Sequence, residues 1–129
     1  MVQLLQAVRE GLDAYGQLLN PPYRFMLTVA CPAGPLNYQK LYVADMDQYL
    51  DFWNFMAYDY AGNWSAATAN QANLFLSTNN LASTPFDTQT GINYYILKGI
   101  PANKIVLGMP VYGRSFNATS GLGMPFIRH

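Results

Sequence analysis

Two short runs in this sequence carry residue types that could do chemistry. The first is Met56-Ala57-Tyr58-Asp59-Tyr60, which closes an aromatic, almost uncharged stretch. If that stretch is a strand, Asn54, Met56 and Tyr58 share one face by its period of two. Polar side chains on an apolar strand need partners, so this face is expected to line a site. Asp59 falls at the C-terminal end of the stretch, where parallel α/β proteins gather ligand groups. The plainer reading, a buried tyrosine and a loop-capping aspartate, fits the same spacing. The second run is Gly108-Met109-Pro110-Val111-Tyr112-Gly113-Arg114. Tyr112 and Arg114 again share a parity. A guanidinium fork beside a phenol suits hydrogen bonding to sugar hydroxyls or to a carboxylate. The plainer partner for Arg114 is Asp59 or Asp87, paired for packing alone. Trp64 lies between the two runs and can either stack on a ring or anchor its own loop.

The carboxylates narrow the chemistry further. The only glutamate is Glu10, on the side of a helical pattern away from its apolar stripe, and it is expected to be solvated. Asp45, Asp47 and Asp51 read as helix-surface charges, which leaves Asp59 as the one well-placed acid. Hydrolysis of a sugar bond by two flanking carboxylates needs a second one. The single cysteine, Cys31, excludes an intrachain disulfide and a cysteine metal cluster. The single histidine, His129, is the last residue and excludes a histidine triad or multi-histidine metal site. Phosphate-binding and dinucleotide glycine patterns are missing, so no metal and no cofactor is expected.

Composition sets the outer bounds. The 129 residues allow one domain at most. They are 51% hydrophobic and only 11% charged, which argues against disorder. A chain this short has much surface per volume, so such low charge suggests a part of something larger. Seven basic residues balance seven acidic ones, giving no reason to expect nucleic acid or an anionic membrane as partner. No apolar run approaches a membrane span, and the first residues do not read as a signal peptide.

The elements that must position these residues alternate. Residues 2–19 read as a helix with Val2, Leu5, Val8, Leu12, Tyr15 and Leu19 as its apolar stripe. Arg9 and Asp13 fall four apart on a face that can be solvated. Residues 24–30 read as a buried strand, 42–50 as a short helix and 52–58 as a second strand. A long polar connection covers 59–87. Residues 88–98 read as a helix with Ile92, Tyr95 and Ile96 on one side, stopped by Gly99, and 104–112 as a third strand. Helix and strand in alternation predict a parallel α/β sheet covered on both faces. Three strands cannot close a barrel, so two sheet edges are left open.

Three motifs make the sequence recognisable. Met56-Ala57-Tyr58-Asp59 with Ala61-Gly62-Asn63-Trp64 resembles the sixth-strand motif of family-18 chitinases of fungal type. The run from Pro101 to Phe116, with Gly108-Met109-Pro110-Val111-Tyr112-Gly113-Arg114 at its centre, resembles their seventh strand. Leu27 to Pro35 resembles their fifth. The motifs stand in the family's order and span nearly the whole chain.

The resemblance implies an α/β fold, a fragment of a (β/α)8 barrel covering about strands five to seven. It implies that residues 1–116 belong to the barrel domain, and that 117–129 begin the family's small insertion or form a disordered tail. It implies chitin or a chitooligosaccharide as partner, together with the missing remainder of the barrel, and an extracellular parent protein. The family's catalysis is substrate-assisted, with the sugar's own N-acetyl oxygen as nucleophile. Tyr58 is then expected to hydrogen-bond the N-acetyl group and Asp59 to bind that sugar. Tyr112 and Arg114 are expected to contact sugars around the cleavage point, Met56 to line the floor, and Trp64 to stack on the leaving-group side. The family's acid glutamate, which ends an Asp-Gly-x-Asp-x-Asp-x-Glu motif on strand four, has no counterpart in this sequence. The 129 residues alone are therefore expected to be inactive. The alternative is a lectin-like fragment that binds chitooligosaccharide without cleaving it. Asn63-Trp64-Ser65 and Asn117-Ala118-Thr119 are glycosylation sequons that suit a secreted parent.

Overall fold

The order of elements along the chain is α1 (Val2–Gln17), β1 (Thr28–Pro32), α2 (Pro35–Tyr38), α3 (Val43–Asp47), β2 (Phe52–Met56), α4 (Thr88–Leu97) and β3 (Ile105–Gly108) in a computed structural model that describes residues 1–127. His129 and the end of the 117–129 segment lie outside the described residues. The strands lie side by side in chain order and both pairings are parallel. Parallel neighbours need a crossover, which α2 and α3 supply before β2 and α4 supplies before β3. The ladders end together, at Pro32 opposite Met56 and Met56 opposite Gly108.

The core forms on the face of the sheet that these helices cover. Trp53 and Phe55 of β2 are completely buried, with Cys31 of β1 beside them. Tyr95 of α4 lies across both, its ring 5.6 Å from Trp53 and 5.7 Å from Phe55. Helix and sheet come this close because residue 91 is glycine: a Cβ there would meet the Phe55 ring at 2.6 Å. The Asp87 carboxylate caps α4 by accepting the Thr90 N–H at 2.8 Å. Gly99 ends it at φ +98°, a conformation that favours glycine.

Several expectations are corrected. The sheet is covered on one face only: on the other, Ala30 and Val106 are exposed and Asn54 and Met56 are half-buried. The apolar stripe of α1 is buried only in part, Leu5 fully and Val2, Leu12 and Leu19 by half. Leu5, Arg9 and Gly16 are buried, whereas Val8 and Tyr15 are exposed. Arg9 turns inward because it is paired there, donating to the Phe25 carbonyl at 2.7 Å and lying 3.5 Å from Asp51. α1 stops at Gln17, short of residue 19, because the chain doubles back and Tyr23 donates to the Gly16 carbonyl at 3.0 Å.

Asp47 and Asp51 are not simple surface charges. Asp47 accepts the Trp53 indole N–H at 2.9 Å and pairs with Lys104 at 2.7 Å. Asp51 pairs with Arg24 and accepts the Leu27 N–H at 2.7 Å. The Leu27 N–H thus goes to a side chain, while its carbonyl accepts the Asp51 N–H at 2.8 Å, and β1 covers 28–32 instead of 24–30. β2 and β3 also end earlier than their apolar runs, at Met56 and Gly108. Beyond that level the strands separate, and Pro110 has no N–H to extend a ladder. Ile96 is 42% exposed, so the inner side of α4 rests on Tyr95 and Ile92. Glu10 is exposed, as expected, and accepts from Gln6 at 2.9 Å.

Candidate functional site

The alternation of β2 separates a packing face from a site face. Trp53, Phe55 and Ala57 are buried toward the helices, while Asn54, Met56 and Tyr58 are half-buried on the open side. Asn54 finds its partner in Thr28 of β1, donating to its hydroxyl at 3.3 Å. Three residues past the ladder the chain reaches Asp59, at φ +58°. A left-handed aspartate costs on the order of 1 kcal/mol or more and persists only where its surroundings hold it. Here they do. The Tyr112 hydroxyl donates to Asp59 Oδ1 at 2.8 Å and the Arg114 Nε at 2.9 Å. Arg114 Nη2 reaches the same oxygen. All these donors converge on Oδ1, and Oδ2 takes no part in them.

The electrostatics follow from the contacts. Partial burial resists ionisation of Asp59, but the Arg114 guanidinium and Tyr112 hydroxyl outweigh it and hold the carboxyl below its ordinary range. Tyr112 moves the opposite way, pushed up by burial and by donating to that carboxylate. Arg114 is raised by its bond to Asp59. The Arg114 guanidinium also lies 5.1 Å from the Trp64 ring and 5.3 Å from the Tyr112 ring, so it is held by two aromatic surfaces.

A depression of about 260 Å³ opens at the C-terminal ends of β1 and β2. Pro32, Asn37, Met56, Tyr58, Asp59 and Phe86 are among its walls. Tyr112 and Arg114 are not; they reach Asp59 from the end of β3. Trp64 is half-exposed and lines a separate apolar cleft of about 430 Å³ with Ala66, Ala69 and Pro85. Tyr60 and Phe86, whose rings lie 4.5 Å apart, form a wall common to both. The structure thus gathers Met56, Tyr58 and Asp59 around one depression, joins Tyr112 and Arg114 to it through Asp59, and joins Trp64 through Arg114.

Sequence reasoning did not single out Asn37, Tyr60 or Phe86 as wall residues. Strand parity puts residue 60 on the open side with Tyr58. The turn at Asp59 instead buries Tyr60, whose hydroxyl meets Thr88 at 2.7 Å. Asn37 and Phe86 arrive from α2 and from the long connection, and no local pattern marks them.

Parallel strands in chain order, helices on one face and polar groups collected beyond the strand ends define a segment of an α/β barrel, with its site at the customary end. Residues 1–124 match the model of the Glycosyl hydrolases family 18, and the chain belongs to that family. It is 53% identical over 126 residues to Endochitinase 1 of Metarhizium robertsii and 51% identical to Chitinase 1 of Aphanocladium album. In each case 98% of this chain aligns with 30% of the relative, so the chain spans about a third of their length. Among solved structures, a Bacillus thuringiensis chitinase superposes with a TM-score of 0.88 at 32% identity, over 96% of this chain and 20% of that one. A Cycas revoluta family-18 chitinase solved with (GlcNAc)3 gives 0.80 at 27% identity, over 98% and 37%. The three parallel strands are therefore part of the family's (β/α)8 barrel.

Proposed function

We propose that these residues form one side of the substrate cleft of a chitin-hydrolysing enzyme. The observation that carries this reading is the convergence of Tyr112 and Arg114 on Asp59, at the site end of the strands, in a family-18 chain. Chitin offers an N-acetyl amide and hydroxyls on every sugar. An aspartate kept ionised by a guanidinium accepts hydrogen bonds from such groups, and Tyr58 supplies a hydroxyl beside it. Met56 lines the floor, and Trp64 presents a ring face to a sugar further along.

In this reading the sugar's own N-acetyl oxygen attacks its anomeric carbon. The bond from that carbon to the glycosidic oxygen breaks as the glycosidic oxygen takes a proton and leaves with its sugar, and an oxazolinium ion forms. Water then opens the ion with retention of configuration. Tyr58 and Asp59 hold the N-acetyl group in its attacking position, which is catalysis by orientation and electrostatic complementarity. The proton comes from an acid outside these 129 residues, since the one glutamate here, Glu10, is exposed on α1.

The test uses the full-length gene product. Asp59→Ala is expected to lower kcat/KM on chitooligosaccharides by roughly 100-fold or more. Unchanged hydrolysis overturns the reading. The isolated 129-residue chain is expected to cleave nothing; cleavage above an Asp59→Ala control places the proton donor within it. A second reading, binding without cleavage, is favoured by the lack of the family's acid-glutamate motif in these 129 residues. A thermal transition of the full-length product that shifts with chitooligosaccharide, with no hydrolysis, selects that one. The chitin substrate also leads us to propose an extracellular protein, tested by whether its peptides appear in culture medium or only in the cell lysate.

A further inference from the structure

We propose that Gln71 is a positioning residue that sets Asp59 against Tyr112 and Arg114. The inference rests on the reading of Asp59 given above and names the residue that keeps that site assembled. Gln71 lies in the connection between β2 and α4, in a polar stretch without any pattern that marks it. Its backbone carbonyl accepts the N–H of Tyr60, the neighbour of Asp59, at 3.0 Å. Its side-chain Nε2 donates to the backbone carbonyl of Tyr112 at 2.6 Å. One residue thus joins the segment that carries the acid to the segment that carries its donors.

No ladder does this work. The pairing of β2 with β3 ends at Met56 opposite Gly108, so Asp59 and Tyr112 both lie beyond it. Other links between the two segments among the described residues run side chain to side chain, among them the donors on Asp59, the edge-on rings of Tyr58 and Tyr112 at 6.4 Å and the Arg114 guanidinium on the Trp64 ring. Such contacts depend on backbones already being in place. The Gln71 amide fixes the Tyr112 backbone directly.

The other end of the amide points the same way. Gln71 Oε1 is buried and accepts no hydrogen bond among the described residues. A buried acceptor left unpaired is costly. The amide cannot relieve this by turning over, because Oε1 would then face the Tyr112 carbonyl oxygen. It is held in one orientation by the bond that ties down Tyr112.

The experiment replaces Gln71 by methionine in the full-length gene product. Gln71→Met is close in shape, lacks the donor and also removes the orphaned oxygen. The titratable groups around Asp59 are Tyr58 and Tyr60 beside it and Tyr112 and Arg114 from the end of β3. With their placement loosened, the Asp59 carboxyl is expected to titrate at higher pH than in the wild type, followed by carbon NMR of the labelled side chain. Hydrolysis of chitooligosaccharide is expected to lose roughly tenfold in kcat/KM, mainly through KM. An unchanged Asp59 titration in folded Gln71→Met overturns the proposal, whatever the activity does. If the titration moves while Asp59→Ala leaves hydrolysis untouched, the positioning stands and the reading of Asp59 falls. Should Gln71→Met not fold, Gln71→Asn keeps the amide but is one methylene too short to reach Tyr112. It carries the same two outcomes.

Discussion

The two faces of β2 are built from alternate residues of one strand, yet they obey different rules. On the helix side, Trp53 and Phe55 meet Tyr95 ring against ring and leave no exposure. On the open side, Asn54, Met56 and Tyr58 are half-buried and lead into a depression and a strained aspartate. The first face is satisfied by shape, the second by hydrogen bonds and charge. A side chain on the first face therefore owes its role to stability, and one on the second, in the function proposed above, to recognition. Substitutions one residue apart separate the two.

The largest expected effect on stability is Phe55→Ala, which empties a fully buried ring site. It is expected to cost about 3–5 kcal/mol, read from urea unfolding of the full-length gene product. Met56→Ala, the next residue, is half-exposed and is expected to cost about 1 kcal/mol. Equal losses would erase the distinction between the faces. Gly91→Ala sharpens the same point from α4. The new methyl would lie 2.6 Å from the Phe55 ring, and overpacking is expected to cost about 1–3 kcal/mol. The double variant Gly91→Ala with Phe55→Leu is expected to recover part of that loss, because the ring is what the methyl strikes.

How far the comparison was legible in the sequence depends on the residue. The alternation of β2 was readable because period two needs no partner to be known. The parallel order of strands was readable from apolar runs separated by helical patterns. The strand ends were not, since a ladder stops where its neighbour leaves, as at Pro32 and Gly108. Arg9 was misread because its reason for burial, Asp51 and the Phe25 carbonyl, comes from distant parts of the chain. The same holds for Gln71 and Phe86, which reach the site from a connection without periodicity. Arg114 was left between Asp59 and Asp87 by sequence, and geometry selects Asp59. Residues with a local reason to be where they are can be read locally; residues recruited across the fold cannot.

Charge provides a smaller effect. Partial burial resists ionisation of Asp51, but the Leu27 N–H and the Arg24 and Arg9 guanidinium groups together hold its carboxyl below the ordinary value. A depressed folded-state pKa adds stability at pH above the unfolded value of about 4, and that stability is lost as pH falls through the folded value. Asp51→Asn is therefore expected to lower stability at pH 7 and to flatten the loss of stability below pH about 4. Parallel acid unfolding curves for variant and wild type would show that the cluster around Asp51 does not contribute.

Cys31 gives the smallest effect and the most direct report on the packed face. Its thiol is buried near the C-terminal end of β1, and burial pushes its pKa up to about 11, against a weaker opposing pull from hydrogen bonding. Thiolate, not thiol, reacts with alkylating reagents. At pH 8 the folded protein holds on the order of 0.1% of Cys31 as thiolate, and that fraction is shielded from solvent. Alkylation is therefore expected to be slow in the native protein and to proceed at the rate set by opening of this face. Phe55→Ala, which loosens the packing beside Cys31, is expected to speed it. Met56→Ala, on the open side of β2, and Asp59→Ala, beyond its end, are expected to leave it unchanged. If the open-face variants expose Cys31 as readily as Phe55→Ala does, the two faces open together. Recognition and stability could then not be altered separately in this sheet.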